Sequence, residues 1–351
     1  MVEISTIGLD IAKNVFQVDG GDSAGCRVLQ RQLRRSEVLK FFRKLPPCVV
    51  GMEACASGHY WGREIAALGH DVRLMPPTSV KPYVRRGKKN DKIDAAACRE
   101  AVGRPDMKFV PIKTEEQQAA VMLHRVRQML VSERTRLCNA IRAHLAEFGI
   151  IARKGDGGFK ALLKMLANEQ DPTIPATIRP ILEPLVTQWC SAGDQLVVIE
   201  RQITAWHRSN SDSLRLAGMP QIGPIIASAF VAKVGDATRF DNGRQCSAWI
   251  GMVPSQHSTG GKTSLGPITK AGDRYLRQLL VIAGTGMIRR LQAKPDLWPW
   301  AAKLLERMPR KKAAIAIANK LARIAWAILV TGKEYRQIGT AIADADLAVA
   351  Q

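Results

Sequence analysis

The chain of 351 residues contains 52 Lys and Arg against 31 Asp and Glu, which gives a formal net charge of +21. This length allows a substantial buried core and suggests two or three domains. The excess positive charge indicates a polyanionic partner, most simply nucleic acid, with a merely soluble basic protein as the alternative.

The seven cysteines form no Cys-x-x-Cys pair and have no nearby histidine ligands. They are predicted to be free thiols in a reducing cytoplasm, which argues against a disulfide framework. No signal peptide is recognised, because strand-like alternation begins at residue 4. The most apolar segment, 313–330, contains Asn319, Lys320 and Arg323 near its centre, which hydrocarbon would penalise. It is predicted to be a buried helix, so no membrane is expected as a partner.

The N-terminal part alternates short apolar runs with segments of helical spacing. Strands are predicted over 4–10, 14–19, 26–32, 48–52 and 72–75, and helices over 36–45 and 59–68. The run at 48–52 is apolar throughout, as expected for a strand in the centre of a sheet. A basic loop over 81–92 then leads into an alanine-rich helix.

Four carboxylates are predicted to converge in this part of the chain. Asp91 and Asp94 are three residues apart, which places both side chains on one face of the alanine-rich helix. Asp10 and Glu53 each lie near the end of a predicted strand. Four carboxylates would repel one another unless cations lay between them, so the pattern predicts a site for two divalent metal ions. The alternative is an ordinary helix start with Asp91 as the N-cap.

This order of strands, helices and acids resembles the α/β ribonuclease H-like (RuvC-like) nucleases of the Holliday-junction-resolvase type. More closely, residues 1–110 resemble the catalytic domain of the DEDD insertion-sequence transposases, the one-ten family with its eleven-eleven subgroup. Three segments carry the resemblance, in order: 8–13, 51–61 and 90–95. It implies that Asp10, Glu53, Asp91 and Asp94 are catalytic and bind Mg²⁺.

Residues 111–208 are predicted to be a helical coiled-coil region. An amphipathic helix is expected over 115–148, and a second helix carries a heptad seam. One interpretation is an antiparallel helix pair within the chain, and the other, implied by the resemblance, adds a dimer contact. The seam consists of Leu182, Leu185, Trp189, Ala192, Leu196, Ile199, Ile203 and Trp206.

Residues 209–351 are predicted to be a mostly α-helical C-terminal transposase domain. Within it, 214–232 is typical of two helices joined by a Pro/Gly turn, with the second helix opening at Gly223. This helix-hairpin-helix-like element would direct backbone N–H groups at a phosphate without reading bases. The usual pattern has glycine where Gln221 stands, and an ordinary helical turn is the alternative.

A short apolar strand from Trp249 is expected to run into a loop rich in hydroxyls and glycines. Glycine lets the backbone approach an anion, and Ser258 or Thr259 on such a loop is exposed enough to attack one. Composition alone favours a plain loop. In the DEDD transposases a serine before glycine in this stretch is the covalent nucleophile, so the resemblance assigns that role to Ser258. Because Thr259 is the residue directly before Gly260, the choice between the two stays open.

The remaining C-terminal sequence is predicted to be helical, with a last helix over 313–331 that ends at Gly332. Taken singly, each basic residue here is most simply a solvated charge. Together, the residues expected to bind nucleic acid are Arg85, Arg86, Lys88, Lys89, Gly223, Lys262, Lys270, Arg274, Lys311 and Lys312.

The resemblance implies a transposase that exchanges DNA strands through a phosphoserine intermediate, in the bacterial cytoplasm and associated with the nucleoid when active. The resemblance implies donor and target DNA as partners, a structured noncoding (bridge) RNA that pairs with both, and a homo-oligomer between dimer and tetramer. It also implies that the serine of one protomer reaches the carboxylates of another. One rival is a metal-dependent endonuclease that uses activated water, and a second is a non-enzymatic nucleic-acid binder whose acids are structural.

Overall fold

The computed structural model describes residues 3–84, 90–259 and 261–336. The chain divides into two compact units, Met1–Glu116 and Gln117–Gln351. The finer division at 110 and 208 stays a prediction.

Unit 1 is built on a mixed five-stranded sheet in the order β3-β2-β1-β4-β5. Strands β1 and β4 are parallel, with Leu9 beside Met52, and β4 and β5 are also parallel. The carboxyl ends of β1 and β4 therefore meet at one edge, which brings Asp10 and Glu53 onto neighbouring strands. The strands, all predicted from the sequence, are β1 (Thr6–Asp10), β2 (Val15–Gly21), β3 (Arg27–Arg34), β4 (Val49–Glu53) and β5 (Asp71–Met75).

The two faces of this sheet carry different residues, because side chains alternate along a strand. Ile7, Leu9, Val50 and Met52 pack on one face in a core that includes residues of α1 and α2. The opposite face presents glycines to α4. The helices are α1 (Val38–Phe42), α2 (Gly58–Ala66), α3 (Pro77–Val80) and α4 (Asp91–Val102). The predicted basic loop over 81–92 is partly wrong, since Lys81–Tyr83 is a short 3-10 helix and α4 already begins at Asp91.

Unit 2 is mostly helical, as predicted, with one two-stranded hairpin. Its main core lies between α9, α11 and α13, where Ala227, Leu280 and Leu321 are fully buried. The elements are α5 (Glu115–Ala146), α6 (Asp156–Ala167), α7 (Arg179–Ser209), α8 (Ser211–Ala217), α9 (Pro224–Val234), α10 (Gly243–Ile250), β6 (Pro254–Thr259), β7 (Lys262–Ile268), α11 (Arg274–Ala293), α12 (Pro299–Arg307) and α13 (Arg310–Thr331).

The long helices α5 and α7 pack antiparallel within the chain. Arg127 of α5 pairs with Glu200 of α7 at 2.8 Å, whereas Arg134, two turns later on α5, lies over the Trp189 ring. Residue numbers thus increase along α5 in the direction in which they decrease along α7, as in an antiparallel pair. Every residue of the predicted seam is buried or half-buried. A dimer contact through these helices remains a proposal.

Helix α13 is long and apolar enough to cross a membrane by length and composition alone. Ile317, Ala318 and Leu321 of this helix are nevertheless fully buried in the unit's core, as predicted. The helix begins at Arg310, so Lys311 and Lys312 lie in its first turn rather than before it, and Gly332 ends it at φ +66°.

The apolar strand predicted from Trp249 is wrong. Trp249 and Ile250 form the last turn of α10, which starts where the Asn242 side chain accepts the Gln245 N–H at 3.0 Å. Cys246 and Ile250, four residues apart, are both buried on the inner face of this helix. Gly251, at φ +81°, then ends α10. A short apolar run of this kind cannot be assigned to helix or strand by periodicity alone.

Candidate active site

Three of the four predicted carboxylates converge in unit 1. Oxygens of Asp10, Asp91 and Asp94 all lie within 4.8 Å of one another. Asp10 ends β1, while Asp91 and Asp94 occupy the first turn of α4. Asp91 is exposed and the other two are half-buried. The predicted pairing of a helix start with a strand end is thus present in the fold.

Glu53, the fourth predicted carboxylate, ends β4 beside β1. It lies outside the set of mutually close oxygens, but its charge is near enough to raise the pKa of Asp10. It therefore belongs to the same local electrostatic environment as Asp91 and Asp94.

Burial and the neighbouring acids together raise the pKa of Asp10 strongly. Burial is the main cause that raises the pKa of Asp10 from 3.8 to about 6, and the charges of Asp94, Asp91 and Glu53 raise it further. A hydrogen bond from the Ile11 backbone opposes these effects. A cation among these oxygens would relieve the repulsion, and hard carboxylate oxygens are the donors that Mg²⁺ prefers. The residues present thus fit a divalent metal.

Two glycines allow α4 to reach the strand ends. A Cβ on Gly8 would lie 2.0 Å from the Ala95 carbonyl oxygen, and one on Gly51 would lie 2.6 Å from the Val102 Cβ. No other residue could hold these positions without moving the helix. Their positioning role was missed from the sequence, although both lie in the segments that carry the family resemblance. The available signal was glycine in place of an apolar residue in two central strands.

The N-cap of α4 is Asn90, so the interpretation of Asp91 as the cap is wrong. The Asn90 Oδ1 accepts the Ile93 N–H at 2.9 Å. An asparagine three residues before the bonded N–H has the same capping geometry as an aspartate, and it satisfies that donor without adding charge. The cap is therefore supplied without Asp91 or Asp94.

A buried ion pair anchors α4 to the sheet, and sequence reasoning missed it. Asp19 of β2 is fully buried, and its carboxylate accepts a 2.6 Å hydrogen bond from Arg99 Nε of α4. Arg27 of β3 lies 2.8 Å from the other oxygen. Arg99 also donates to the Gly25 carbonyl. An aspartate inside the apolar run of β2 was the available signal, because a buried carboxylate requires a partner.

Ser258 and Thr259 lie at the end of β6, so the prediction of a hydroxyl-rich loop is wrong. They pair with Thr263 and Lys262 of β7. Alternation along the strand places the two hydroxyl residues on opposite faces of the hairpin. Ser258 is exposed, and Gln256 Nε2 donates to its Oγ at 3.0 Å. The turn includes Gly261 at φ +78°, a conformation that glycine adopts without steric cost.

The helix-hairpin-helix-like segment consists of α8, a turn and α9. Gly223 is exposed at the N-cap of α9, where an added Cβ would meet nothing within 4 Å. Gln221 has a φ of +66°, the left-handed conformation that glycine favours, which fits the glycine usual at this position. Phosphate binding here remains a prediction.

The other predicted basic residues are distributed as follows. Lys270 is exposed in the turn between β7 and α11, Arg274 is exposed at the start of α11, and Lys311 and Lys312 are exposed on α13. Lys262 lies in β7 opposite Thr259. Arg85, Arg86, Lys88 and Lys89 lie outside the described residues. All seven cysteines are free thiols, as predicted.

Known proteins match both units. Residues 7–150 match the DEDD model of IS110 elements, described as "Transposase", and residues 213–297 match a model described as "Transposase IS116/IS110/IS902 family". A "Probable family 20 transposase" of Pseudomonas aeruginosa is 48% identical over 95% of this chain and 99% of its own length.

Two insertion-sequence proteins are also similar. The transposase for insertion sequence element IS1328 of Yersinia enterocolitica is 38% identical, covering 95% of this chain and 98% of its own length. The transposase for insertion sequence element IS1111A of Coxiella burnetii is 36% identical, covering 96% and 92%. With its mixed α/β unit, its acidic cluster and these relatives, the chain belongs to the IS110/IS116/IS902 family of insertion-sequence transposases, which are DNA-transposing enzymes.

Proposed function

We propose that Asp10, Glu53, Asp91 and Asp94 are the catalytic carboxylates with which this transposase breaks and rejoins DNA strands. The convergence of Asp10, Asp91 and Asp94 within 4.8 Å at the ends of β1 and α4 supports this assignment most directly. Glu53 adds a fourth negative charge, which contributes to the raised pKa of Asp10. The non-enzymatic rival explains neither this accumulation of like charge nor the family membership.

Transposases of the DEDD type use divalent metal ions, and Mg²⁺ fits this set of oxygen donors. We assign two ions to the four carboxylates. When bound, they would neutralise charge on the phosphoryl and leaving oxygens and help to deprotonate the attacking alcohol. The contribution of the chain is to hold four carboxylates together on rigid elements, two at strand ends and two in one helical turn.

Ser258 is the proposed nucleophile. Its Oγ attacks the phosphorus of a DNA phosphodiester, so that an Oγ–P bond forms and the bond from phosphorus to one deoxyribose oxygen breaks. The serine proton passes to water, and the departing oxygen takes up a proton. The hydroxyl of a second strand then attacks this phosphorus, so that a new phosphodiester bond forms and the attacking hydroxyl gives its proton to water. The Oγ–P bond breaks, and Oγ regains a proton. Ser258 is exposed, and Gln256 donates to its Oγ, so this contact leaves the hydroxyl hydrogen unused.

The test is a search for a covalent adduct. The protein is incubated with nicked or branched DNA and Mg²⁺, denatured, and examined on a gel for protein-linked DNA. We expect an adduct with the wild type and Thr259→Val, and none with Ser258→Ala, Asp10→Asn or Asp91→Asn. DNA binding by each variant, measured by fluorescence anisotropy, controls for misfolding.

Each other result rejects part of the proposal. An adduct lost in Thr259→Val but kept in Ser258→Ala moves the nucleophile to Thr259. Strand breaks without any adduct favour the endonuclease that uses activated water. An adduct formed equally well by Asp10→Asn removes the carboxylates from the chemistry.

We extend the proposal to an assembly in the cytoplasm, on nucleoid DNA, with a structured noncoding RNA that pairs with donor and target DNA. Family membership and the net charge of +21 support a second polyanionic partner. Base pairing would then provide sequence choice that the protein does not need to supply. The test is whether the transcript of the DNA flanking the reading frame is required for cutting at one site. Site-specific cutting without RNA rejects the guide.

The proposed assembly is a tetramer in which Ser258 of one protomer acts with the carboxylates of another. Mixing Asp10→Asn protein with Ser258→Ala protein tests this arrangement. Shared sites would restore adduct formation, because each inactive protomer supplies the group that the other lacks. A mixture as inactive as its components contradicts shared sites.

A further inference from the structure

A wide groove in unit 2 runs between α5 and α11 and has a volume of about 1210 Å³. Among the described residues, its lining includes five Lys or Arg side chains and no Asp or Glu. Val131, Leu279 and Ile282 contribute an apolar floor. Ile282 is 63% exposed, so this floor is accessible from solvent. A groove with cationic walls and an apolar floor is complementary to a polyanion that carries uncharged groups between its charges.

The cations of this groove are of two kinds. Three are already paired: Arg127 is held by Glu200 and the Tyr275 hydroxyl, and Arg136 pairs with Glu133. Arg277 donates to backbone carbonyls at 2.7 and 2.9 Å. Lys270 and Arg274, both exposed, have no acceptor among the described residues. Two charges in the lining of the groove are therefore available to an incoming anion.

Lys270 also has an unusual backbone. Its φ of +56° is one of three positive values at non-glycine residues in the described part of the chain. The turn is locked in place, because the Lys270 N–H donates to the Gly251 carbonyl and Gly272 packs against the Trp249 carbonyl. The left-handed conformation costs a lysine about 1 kcal/mol or more, and such strain is concentrated at functional sites. Here it fixes the position of the Lys270 backbone in the lining of the groove.

We propose that the groove between α5 and α11 binds the phosphate backbone of the DNA strand that Ser258 cuts. This inference rests on the proposed function, and it assigns a place to the substrate. Strand β7 ends at Ile268, which lines the groove, so the base of the hairpin that carries Ser258 adjoins the groove. Tyr275 is the one aromatic residue in the described lining. Contacts to phosphates and sugars rather than stacked bases are thus expected, without sequence preference.

The experiment measures binding of the full chain to the labelled branched DNA by fluorescence anisotropy at several salt concentrations, in EDTA so that no strand is cut. The double variant Lys270→Gln/Arg274→Gln is expected to raise Kd about 10-fold and to reduce the slope of log Kd against log salt by about 1.5 to 2. The matched control is Arg201→Gln/Arg208→Gln, which removes equal charge from exposed positions on α7 outside the groove. It is expected to change Kd less than about twofold.

A second pair of variants tests the floor without removing a cation. Ile282→Glu places a carboxylate in the groove and should weaken binding, whereas Ile282→Lys at the same exposed position should not. Equal Kd values for Ile282→Glu and Ile282→Lys, or for the two double variants, overturn the proposal. Groove-dependent binding of RNA of the same length, with DNA binding unaffected, overturns it in favour of RNA.

The proposed groove and the proposed serine chemistry can be rejected independently of each other. If binding depends on the groove while no adduct forms under cutting conditions, the groove is supported and the phosphoserine is rejected. If an adduct forms and the groove variants bind and react like wild type, the groove is rejected and the chemistry stands.

Discussion

Gly8 of β1 lies directly against the backbone of Ala95 in α4, so closely that a Cβ on Gly8 would stand 2.0 Å from the Ala95 carbonyl oxygen. Asp10 follows Gly8 by two residues, and Asp94 precedes Ala95 by one. The closeness of the two backbones therefore sets how near the carboxylates of strand and helix can come. The acidic cluster depends on a missing side chain as much as on the acids themselves.

Gly8→Ala is expected to push α4 away from the sheet and to separate Asp91 and Asp94 from Asp10. Overpacking of this kind typically costs about 1–3 kcal/mol of unfolding free energy. We expect a lower Tm, little stabilisation by added Mg²⁺, and loss of strand exchange. Gly103→Ala, just beyond the end of the same helix, is the control, because its Cβ would meet only the Glu100 carbonyl at 3.9 Å. Full Mg²⁺ dependence in Gly8→Ala would show that the close approach is not required.

The buried pair of Asp19 and Arg99 is expected to stabilise unit 1 through α4. Asp19→Ala leaves the largely buried Arg99 guanidinium without its carboxylate, and breaking a buried pair costs about 3–5 kcal/mol. Urea unfolding of Asp19→Ala, Arg99→Met and the double variant measures the coupling. We expect the double variant to be more stable than Asp19→Ala. An exposed pair, Glu100 with Arg104, is the control, and its disruption should cost less than about 1 kcal/mol.

Because the pKa of Asp10 is raised, the stability of unit 1 is expected to change with pH in opposite directions with and without bound metal. Its folded pKa of about 6 lies above the ordinary 3.8, so between these values the folded chain binds more protons than the unfolded chain. Metal-free unit 1 therefore loses stability as the pH rises through this window. Stabilisation by Mg²⁺ should instead increase as the pH rises past 6, because protons compete for the carboxylate.

Asp10→Asn removes both effects. At pH 7.5 without metal we expect its Tm to exceed that of the wild type by about 2–4 °C, with allowance for the half-exposed site. Its Tm should respond little to Mg²⁺. Scanning calorimetry between pH 5 and 8 with EDTA or Mg²⁺ measures these changes, and Asp106→Asn, an exposed carboxylate of unit 1, is the control. An Asp10→Asn protein as sensitive to Mg²⁺ as wild type contradicts the metal site.

His124 makes unit 2 sensitive to acid. The ring is buried between the Ser228 hydroxyl at 3.1 Å and the Tyr275 hydroxyl at 3.3 Å. Ser228 donates to the Pro224 carbonyl, so it accepts from His124 Nε2, while Arg127 donates to Tyr275, whose hydroxyl is left to donate to Nδ1. The ring is thus held neutral. Burial is the main cause that lowers the pKa of His124 to about 4, and Lys233 and Arg127 lower it further.

Since the ordinary pKa is 6.5, the unfolded chain binds more protons than the folded chain between pH 6.5 and 4. This contribution to stability is complete above 6.5 and is lost as the pH falls towards 4, with a magnitude of up to about 3 kcal/mol. His124→Gln should flatten this dependence. Trp61 is the one tryptophan of unit 1, so fluorescence of the Trp61→Phe background follows unit 2. The exposed His144→Gln is the control, and an unchanged pH dependence in His124→Gln would assign the acid sensitivity elsewhere.

The order of strands and helices in unit 1, the acids that end β1, β4 and begin α4, and the buried nature of α13 were all predictable from the sequence. Each depends on local patterns: alternation of apolar residues, helical spacing, and Pro or Gly at the ends of elements. The strand expected at Trp249 failed because a short apolar run fits helix and strand equally well. The loop expected at Ser258 failed because the hydrogen bonds that make it a strand come from β7.

Only the tertiary structure decided how close the acids come and which residues hold them there. Gly8 lies against the backbone of Ala95, and Asp19 pairs with Arg99, eighty residues away. His124 is hydrogen-bonded to Tyr275, which is still more distant along the chain. Contacts between residues so distant along the chain produce no periodic pattern in the sequence, because they depend on how whole helices and strands pack. The sequence by itself thus determined the chemical groups and their elements, and packing determined their geometry.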